Sequence, residues 1–364
     1  MVRIAQLASY DLNIGDNIAI YNIRRVLTSL IDEPIEWTNV HLSQFHNIKN
    51  NVLTSCEILK SISDNNDMLI IGGGGLIEGG QGHLGTSWLY GTNWKLPFDE
   101  TTLSEIDIPI VCFALGINYF RNWPKISNIG QENIRHLVDK SALFSLRNDG
   151  SIDLFREFSD QAAEEIPDAG LVFADHLQIP RKTEIKTGFL QTCWNNKEEL
   201  VNGRGLGDEN LLHLVATMKE NNLANFAHCT KDYCFPYNTA VISEKDFTER
   251  VKYDRFMSIV GAYALFDYSV AMRGHGQMIA LGVNLPSIYF STQDKVRDFS
   301  YRNGLEDYNV DIEDPEWHAK LNEKIYRLKT DKEYLQNWYE IRDKTRAKYT
   351  KDFYDFCHKI KDLL

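Results

Sequence analysis

Tyr268-Ser-Val-Ala-Met272, Arg273-Gly-His-Gly276, Gln277-Met-Ile-Ala-Leu-Gly282, Val283-Asn-Leu-Pro-Ser-Ile-Tyr-Phe290 and, three residues on, Asp294-Lys295 form the stretch from which the rest of the chain is read. The first run is short, apolar and partly β-branched, which predicts a buried strand. Gln277 to Leu281 open a helix, Gly282 is expected to stop it, and Leu285 to Phe290 read as the next strand. The result is a βαβ unit with Arg273 and His275 at the switch from strand to helix. The C-terminal ends of parallel strands are where open α/β sheets take ligands. A helix start offers N–H groups and a positive dipole end to an anion. Arginine adds bidentate recognition of phosphate or carboxylate, and histidine moves protons near neutral pH. The plain alternative is a structural ion pair for Arg273 and a helix cap for His275.

Outward from this unit, the pattern repeats. Arg3 to Ser9 read as a strand, followed by Asn13-Ile-Gly15-Asp16-Asn17 and a helix with apolar positions Ile18, Tyr21, Ile23, Val26, Leu27 and Leu30. Asp16 is expected either to cap that helix, which suits aspartate, or to present a carboxylate to a cleft. Asp67 to Ile71 form a buried strand ended by Gly72 to Gly75, where backbone can come close to a ligand. That run is neither a dinucleotide fingerprint nor a triphosphate loop. Glu78 to Trp94, with His83, Trp88 and Tyr90, read as a polar-aromatic loop, either a sugar-stacking surface or a loop packed on itself. Ile108 to Leu115 are another buried strand. Leu143 to Leu146 lead into Arg147-Asn-Asp-Gly-Ser151 and the helix Ile152 to Phe158, so Arg147 repeats the placement of Arg273. Gly188 to Trp194, Ala224 to Cys229 and Thr239 to Ile242 are strand candidates in the second half. Asp208 to Asn221 and Tyr253 to Tyr263 are expected helices, Asp311 to Leu321 follows Lys295, and a long charged helix runs from about Asp331 to Leu364.

Two α/β halves with Gly-rich strand ends therefore predict an α/β fold of two Rossmann-like domains facing across a cleft. The expected division is 1–180, 181–330 and a C-terminal helix over 331–364 that crosses back to the first domain. A net charge of −12 argues against nucleic acid as partner and requires a local cationic site for any anionic substrate. The six cysteines show no metal spacing, and Cys229, Cys234 and nearby His228 lack a second ligand pair, so no metal is expected. The opening residues lack a long apolar segment, and no run reaches the ~20 residues that span a bilayer, which predicts a cytoplasmic protein. Arg342, Lys344, Arg346 and Lys348 suggest either a solvated helix face or a contact with an anionic membrane surface.

Taken together, four segments resemble the polysaccharide pyruvyl transferase family in their order and spacing. They are Asn13-x-Gly15-Asp16, Asp67 through Gly75, Ser145-Leu-Arg147-Asn-Asp-Gly-Ser151, and Arg273-Gly-His275-Gly with Gly282, Pro286, Asp294 and Lys295 downstream. Two positions depart from the family pattern: Asn148 stands where an aspartate is usual, and Gly274 where a bulkier residue is usual. The resemblance implies a GT-B-like fold with phosphoenolpyruvate as donor and no separate cofactor. It implies a lipid-linked sugar of a surface polysaccharide precursor as acceptor, reached at the inner membrane face, and a pyruvate ketal as product. On that reading His275 and Asp16 are the catalytic candidates, and Arg147, Arg273, Lys295 and Gly276 hold the phosphoenolpyruvate. Asn13, Gly74, Glu78 and Trp88 face the acceptor. A nucleotide-sugar glycosyltransferase and a non-catalytic carbohydrate-binding protein are the rivals on the same scaffold.

Overall fold

The computed structural model describes residues 1–10, 14–47, 52–78, 96–118, 126–171, 178–193, 208–227, 242–243 and 261–364. Two compact units divide the chain. One holds Met1–Asp11, Ala19–Ala169 and Lys351–Leu364; the other holds Leu12–Ile18 and Gly170–Thr350.

In the first unit, β1 (Val2–Ala8), α1 (Ile14–Leu30), β2 (Ile35–His41), α2 (Leu42–Asn47), α3 (Val52–Asn65), β3 (Met68–Glu78), α4 (Glu100–Leu103), β4 (Ile110–Asn118), α5 (Asn128–Lys140), β5 (Leu143–Arg147), α6 (Ser151–Arg156) and β6 (Glu164–Ile166) follow one another. The strands pair in parallel in the order β2-β1-β3-β4-β5-β6. Leu69, Ile71, Ile110, Cys112, Leu115 and Leu146 fill the core beneath the helices. The glycines Gly72 to Gly75, where the sequence reading ended the strand, lie in the middle of β3, and they are there for a steric reason. A Cβ on Gly72 would stand 2.2 Å from the carbonyl oxygen of Phe113 on β4, and Gly72, Gly73 and Gly74 all take positive φ. The pairing with β4 slips one place beyond Gly74, as at a bulge.

The second unit contains β7 (Gly188–Thr192), α7 (Asp208–Asn221), β8 (Leu223–Ala227), β9 (Ile242–Ser243), β10 (Tyr268–Ala271), α8 (Gly274–Val283), β11 (Ser287–Ser291), α9 (Asp294–Arg302), β12 (Asn309–Asp311), α10 (Trp317–Thr330) and α11 (Lys332–Lys361). Its parallel sheet runs β12-β11-β10-β7-β8-β9. Counted from β7, this is the doubly wound order 3-2-1-4-5-6, which reverses direction between β7 and β10. Every residue of β7, β10 and β11 is buried, as expected of parallel strands covered on both faces. Phe189 packs against Phe226, Tyr263 and Phe266 at ring separations of 5.0–5.1 Å.

Several boundaries differ from the sequence reading. Helix α8 starts at Gly274, three residues early, and continues past Gly282. The stop is Asn284, in the left-handed region at φ 72°, a conformation asparagine tolerates. Its side chain donates to Ile179 O at 2.8 Å. Asp311 closes β12, so the following helix begins only at Trp317. Most of the expected Tyr253–Tyr263 helix and of the Thr239–Ile242 strand lies outside the described residues. The last helix contributes to both units, dividing between Thr350 and Lys351. Among the described residues, no helix is long and apolar enough to cross a membrane.

Candidate active site

The switch point of the second sheet lies where β7 and β10 diverge, and the chain leaves β10 there into Arg273. This residue is extended (φ −112°, ψ 147°) and forms the N-cap of α8 without a side-chain cap bond. Its backbone N–H donates to Gln191 Oε1 at 2.8 Å, and its Nε donates to Thr192 O at 3.3 Å. One strand over, Gln293 caps α9, again without a side-chain cap bond. Two helix N-termini thus stand at adjacent strand ends, each with a positive dipole end. Lys295, in the first turn of α9, lays its stem beside Gly274: a Cβ at Gly274 would meet Lys295 Cδ and Cε at 3.8 Å. Arg273 and Lys295 are both half-buried. Two cations and two helix starts, all within one unit, give these strand ends the charge and N–H groups that suit an anion.

His275 sits in the first turn of α8, 8% exposed. Asp16, in the first turn of α1, places Oδ1 3.8 Å from His275 Nδ1. That is an ion-pair separation and longer than a hydrogen bond. Since α1 starts at Ile14, Asp16 is inside the helix, and the N-cap reading falls away. Gly15 makes the approach sterically feasible: a Cβ there would lie 2.0–2.2 Å from Cγ, Nδ1 and Cβ of His275. The Gly15-Asp16 pair and the Arg273–His275 turn, far apart in sequence, belong to one constellation.

The far end of α8 is tied down. Arg342 from α11 donates from Nε to Leu281 O at 2.8 Å and from Nη2 to Gly282 O at 2.9 Å. Gln178 donates to Gly282 O at 2.8 Å. A guanidinium on the last carbonyls complements the helix dipole. Arg342 is therefore buried, 6% exposed. The basic run on α11 is interrupted at this residue.

In the first unit, Arg147 ends β5 and is 4% exposed. Its Nε donates to Asp149 at 2.5 Å and its Nη1 to Asp168 at 3.1 Å. Asp149 also accepts from Ser151 Oγ, which in turn accepts from Ile117 N at 2.8 Å. A Cβ on Gly116 would stand 2.3 Å from the guanidinium carbon. Two carboxylates more than balance one guanidinium, so this geometry favours Arg147 as the residue that fixes its own loop over a direct anion ligand. Asn148 fits the same account. Its carbonyl oxygen accepts from Asp168 N at 3.1 Å, and an aspartate there would add a third carboxylate beside Asp149 and Asp168.

Gly74 lies at the bulge of β3, and Glu78 is the last residue of that strand. Asn13, Trp88 and the rest of the expected sugar-facing loop lie outside the described residues, as do His228, Cys229 and Cys234. Among the described residues, no group of three or more His, Cys, Asp or Glu could hold a metal. The sequence reading missed Gln191, Arg342, Asp149 and Asp168 as partners of its arginines and of α8. A glutamine inside an otherwise apolar strand was the visible signal for the first.

The fold resembles solved UDP-GlcNAc 2-epimerases. That of Neisseria meningitidis, bound to UDP-GlcNAc, superposes with a TM-score of 0.52 at 11% identity, covering 96% of this chain and 100% of that one. That of Methanocaldococcus jannaschii, in complex with UDP-GlcNAc and UDP, gives 0.50 at 13% identity, covering 91% and 93%. These likenesses give the fold: α/β, with two Rossmann-like domains of the GT-B type. No protein of curated function matches the sequence. The family model of polysaccharide pyruvyl transferases matches residues 13–294 of the 364, and the chain belongs to that family.

Proposed function

We propose that the chain transfers the pyruvyl group of phosphoenolpyruvate to a sugar of a lipid-linked polysaccharide precursor. What supports this reading is the pairing of His275 with Asp16 in the turn that follows Arg273, with Lys295 and a second helix N-terminus beside it. Phosphoenolpyruvate carries a phosphate and a carboxylate on three carbons, so it suits a site with two neighbouring cations. Arg273 takes one anionic group through its guanidinium fork, and Lys295 takes the other as a point charge.

In this reading a sugar hydroxyl adds to C2 of the enol while C3 gains a proton and becomes a methyl group. The C2–O bond to phosphate then breaks. A second hydroxyl of the same sugar closes the ketal, and its proton leaves with the phosphate. Two hydroxyl protons are consumed, one into the methyl group and one into the phosphate, so the reaction is balanced without an oxidant or reductant. His275 is the proton carrier, acting at Nε2, the ring nitrogen opposite the one nearest Asp16. The carboxylate orients the ring as it accepts a hydroxyl proton. Asn13, Gly74, Glu78 and Trp88 remain the proposed acceptor contacts.

The test is mass spectrometry of polysaccharide repeat units incubated with phosphoenolpyruvate, with and without the protein, alongside phosphate release. A pyruvyl adduct that appears only with protein, one phosphate per adduct, is expected. Sugar binding without adduct or phosphate would favour a binding protein instead, and turnover of nucleotide sugars would favour a glycosyltransferase.

A further inference from the structure

Gln191 is 0% exposed in a strand whose five residues are all buried. Strands covered on both faces are ordinarily apolar runs, and a buried amide is costly unless both its ends are hydrogen-bonded. Here both ends are used, and on the same few backbone atoms. Oε1 accepts from the backbone N–H of Arg273 at 2.8 Å. Nε2 donates to Thr192 O at 2.6 Å, the same carbonyl that accepts Arg273 Nε at 3.3 Å. Met272 N donates to Gln191 O at 3.2 Å, extending the β7–β10 ladder, in which Gln191 pairs with Ala271. Across the first turn of α8, a Cβ on Gly276 would lie 2.4 Å from Gln191 Oε1. One side chain therefore touches the Arg273 backbone, shares the carbonyl that aims the Arg273 guanidinium, and fills the space behind Gly276, the neighbour of His275.

We propose that Gln191 is a positioning residue: its amide sets the register of the Arg273–Gly276 turn against the end of β7 and so holds the guanidinium and the imidazole in their mutual geometry. This rests on the reading of Arg273 as anion ligand and His275 as proton carrier given above. Only glycine at 276 admits the amide, so Gln191 and Gly276 are a matched pair. A side chain that merely filled the sheet could be replaced by an apolar one of equal length; a positioning amide could not.

The experiment compares wild type with Gln191→Met, which keeps length and burial and removes both polar atoms. It measures kcat and both KM values by phosphate release, the melting temperature, and the His275 imidazole NMR signal, assigned by its loss in His275→Gln. The expected result is a melting temperature near wild type, an unchanged KM for the acceptor, a kcat lower by about 10- to 100-fold, and a displaced His275 signal. Wild-type kcat with an unmoved signal overturns the assignment. If Gln191→Met does not fold, Gly276→Ala probes the same seat from the other side, and the same displacement of the His275 signal is expected. Absence of phosphate release by the wild type with any acceptor defeats the proposed reaction, but the NMR signal still decides the role of Gln191.

Discussion

The backbone of Gly15 lies against the His275 imidazole so closely that a Cβ at position 15 would fall 2.0 Å from its Cγ. Position 15 is in the first turn of a helix, where alanine is ordinarily the better residue. Gly15→Ala is therefore expected to keep helix content by circular dichroism while displacing the imidazole. Turnover should fall on the order of 10²-fold, the usual consequence of ångström-scale misplacement. Undiminished phosphate release by a folded Gly15→Ala protein would remove the imidazole from the reaction.

His275 and Asp16 should differ in what their loss costs. His275→Ala removes the proton carrier and is expected to cost roughly 10²–10⁴ in kcat. Asp16→Asn leaves the ring in place but removes the carboxylate 3.8 Å away, so a smaller loss in kcat is expected. Phosphate-release kinetics of the two variants separate the roles, and equal losses would contradict them.

Arg147 and Arg273 offer a contrast between folding and binding. Arg147→Ala strands Asp149 and Asp168 with side chains only 3% and 4% exposed, and breaking such a buried pair costs about 3–5 kcal/mol. Urea denaturation should show that loss. Arg273→Ala should leave the urea midpoint nearly unchanged and raise KM for phosphoenolpyruvate at least ~10-fold, the equivalent of about 1.4 kcal/mol of lost charged hydrogen bonding. A stable Arg147→Ala protein with weakened phosphoenolpyruvate binding would return Arg147 to the role of anion ligand.

Asp267 gives the first turn-in to β10 a pH dependence. Burial pushes its carboxyl upward, but the N–H groups of Thr187 and Lys186, the Lys182 ammonium and the Thr187 hydroxyl outweigh this and hold it below its ordinary value. A carboxylate whose folded pKa is depressed contributes stability above the unfolded pKa and loses it as pH falls through the folded one. Asp267→Asn should therefore cost about 1.5–3 kcal/mol at neutral pH, with the gap to wild type closing below about pH 4. Denaturation midpoints at pH 7 and below pH 4 check it; a gap that does not narrow in acid would contradict the account.

The parallel strands were legible because burial on both faces writes itself as short apolar runs: Met68 to Ile71, Ile110 to Leu115 and Tyr268 to Ala271 are all such runs. The placement of Arg273, His275 and Lys295 at strand ends was legible because a strand end followed by a helix start can be recognised locally. What was hidden is long-range. Nothing near Asp168 in sequence announces that it pairs with Arg147, and nothing near Arg342 announces that it closes α8. Glycine misled in one place: Gly282 is absorbed into α8, because a helix end is fixed by whichever residue takes the left-handed conformation, here Asn284. Asp16 was ambiguous because a capping aspartate and a site aspartate look alike until the helix start is known.

Phe353 and Phe356, near the end of α11, pack on Phe113 of β4 with ring centroids 5.1 Å apart in both cases, and both are buried with Cys357 and Ile360. The first unit therefore cannot close over its sheet during translation until residues 351–364 have cleared the ribosome. Until then Phe113 has neither ring against it, and a nascent chain stalled short of this segment would present that surface to chaperones.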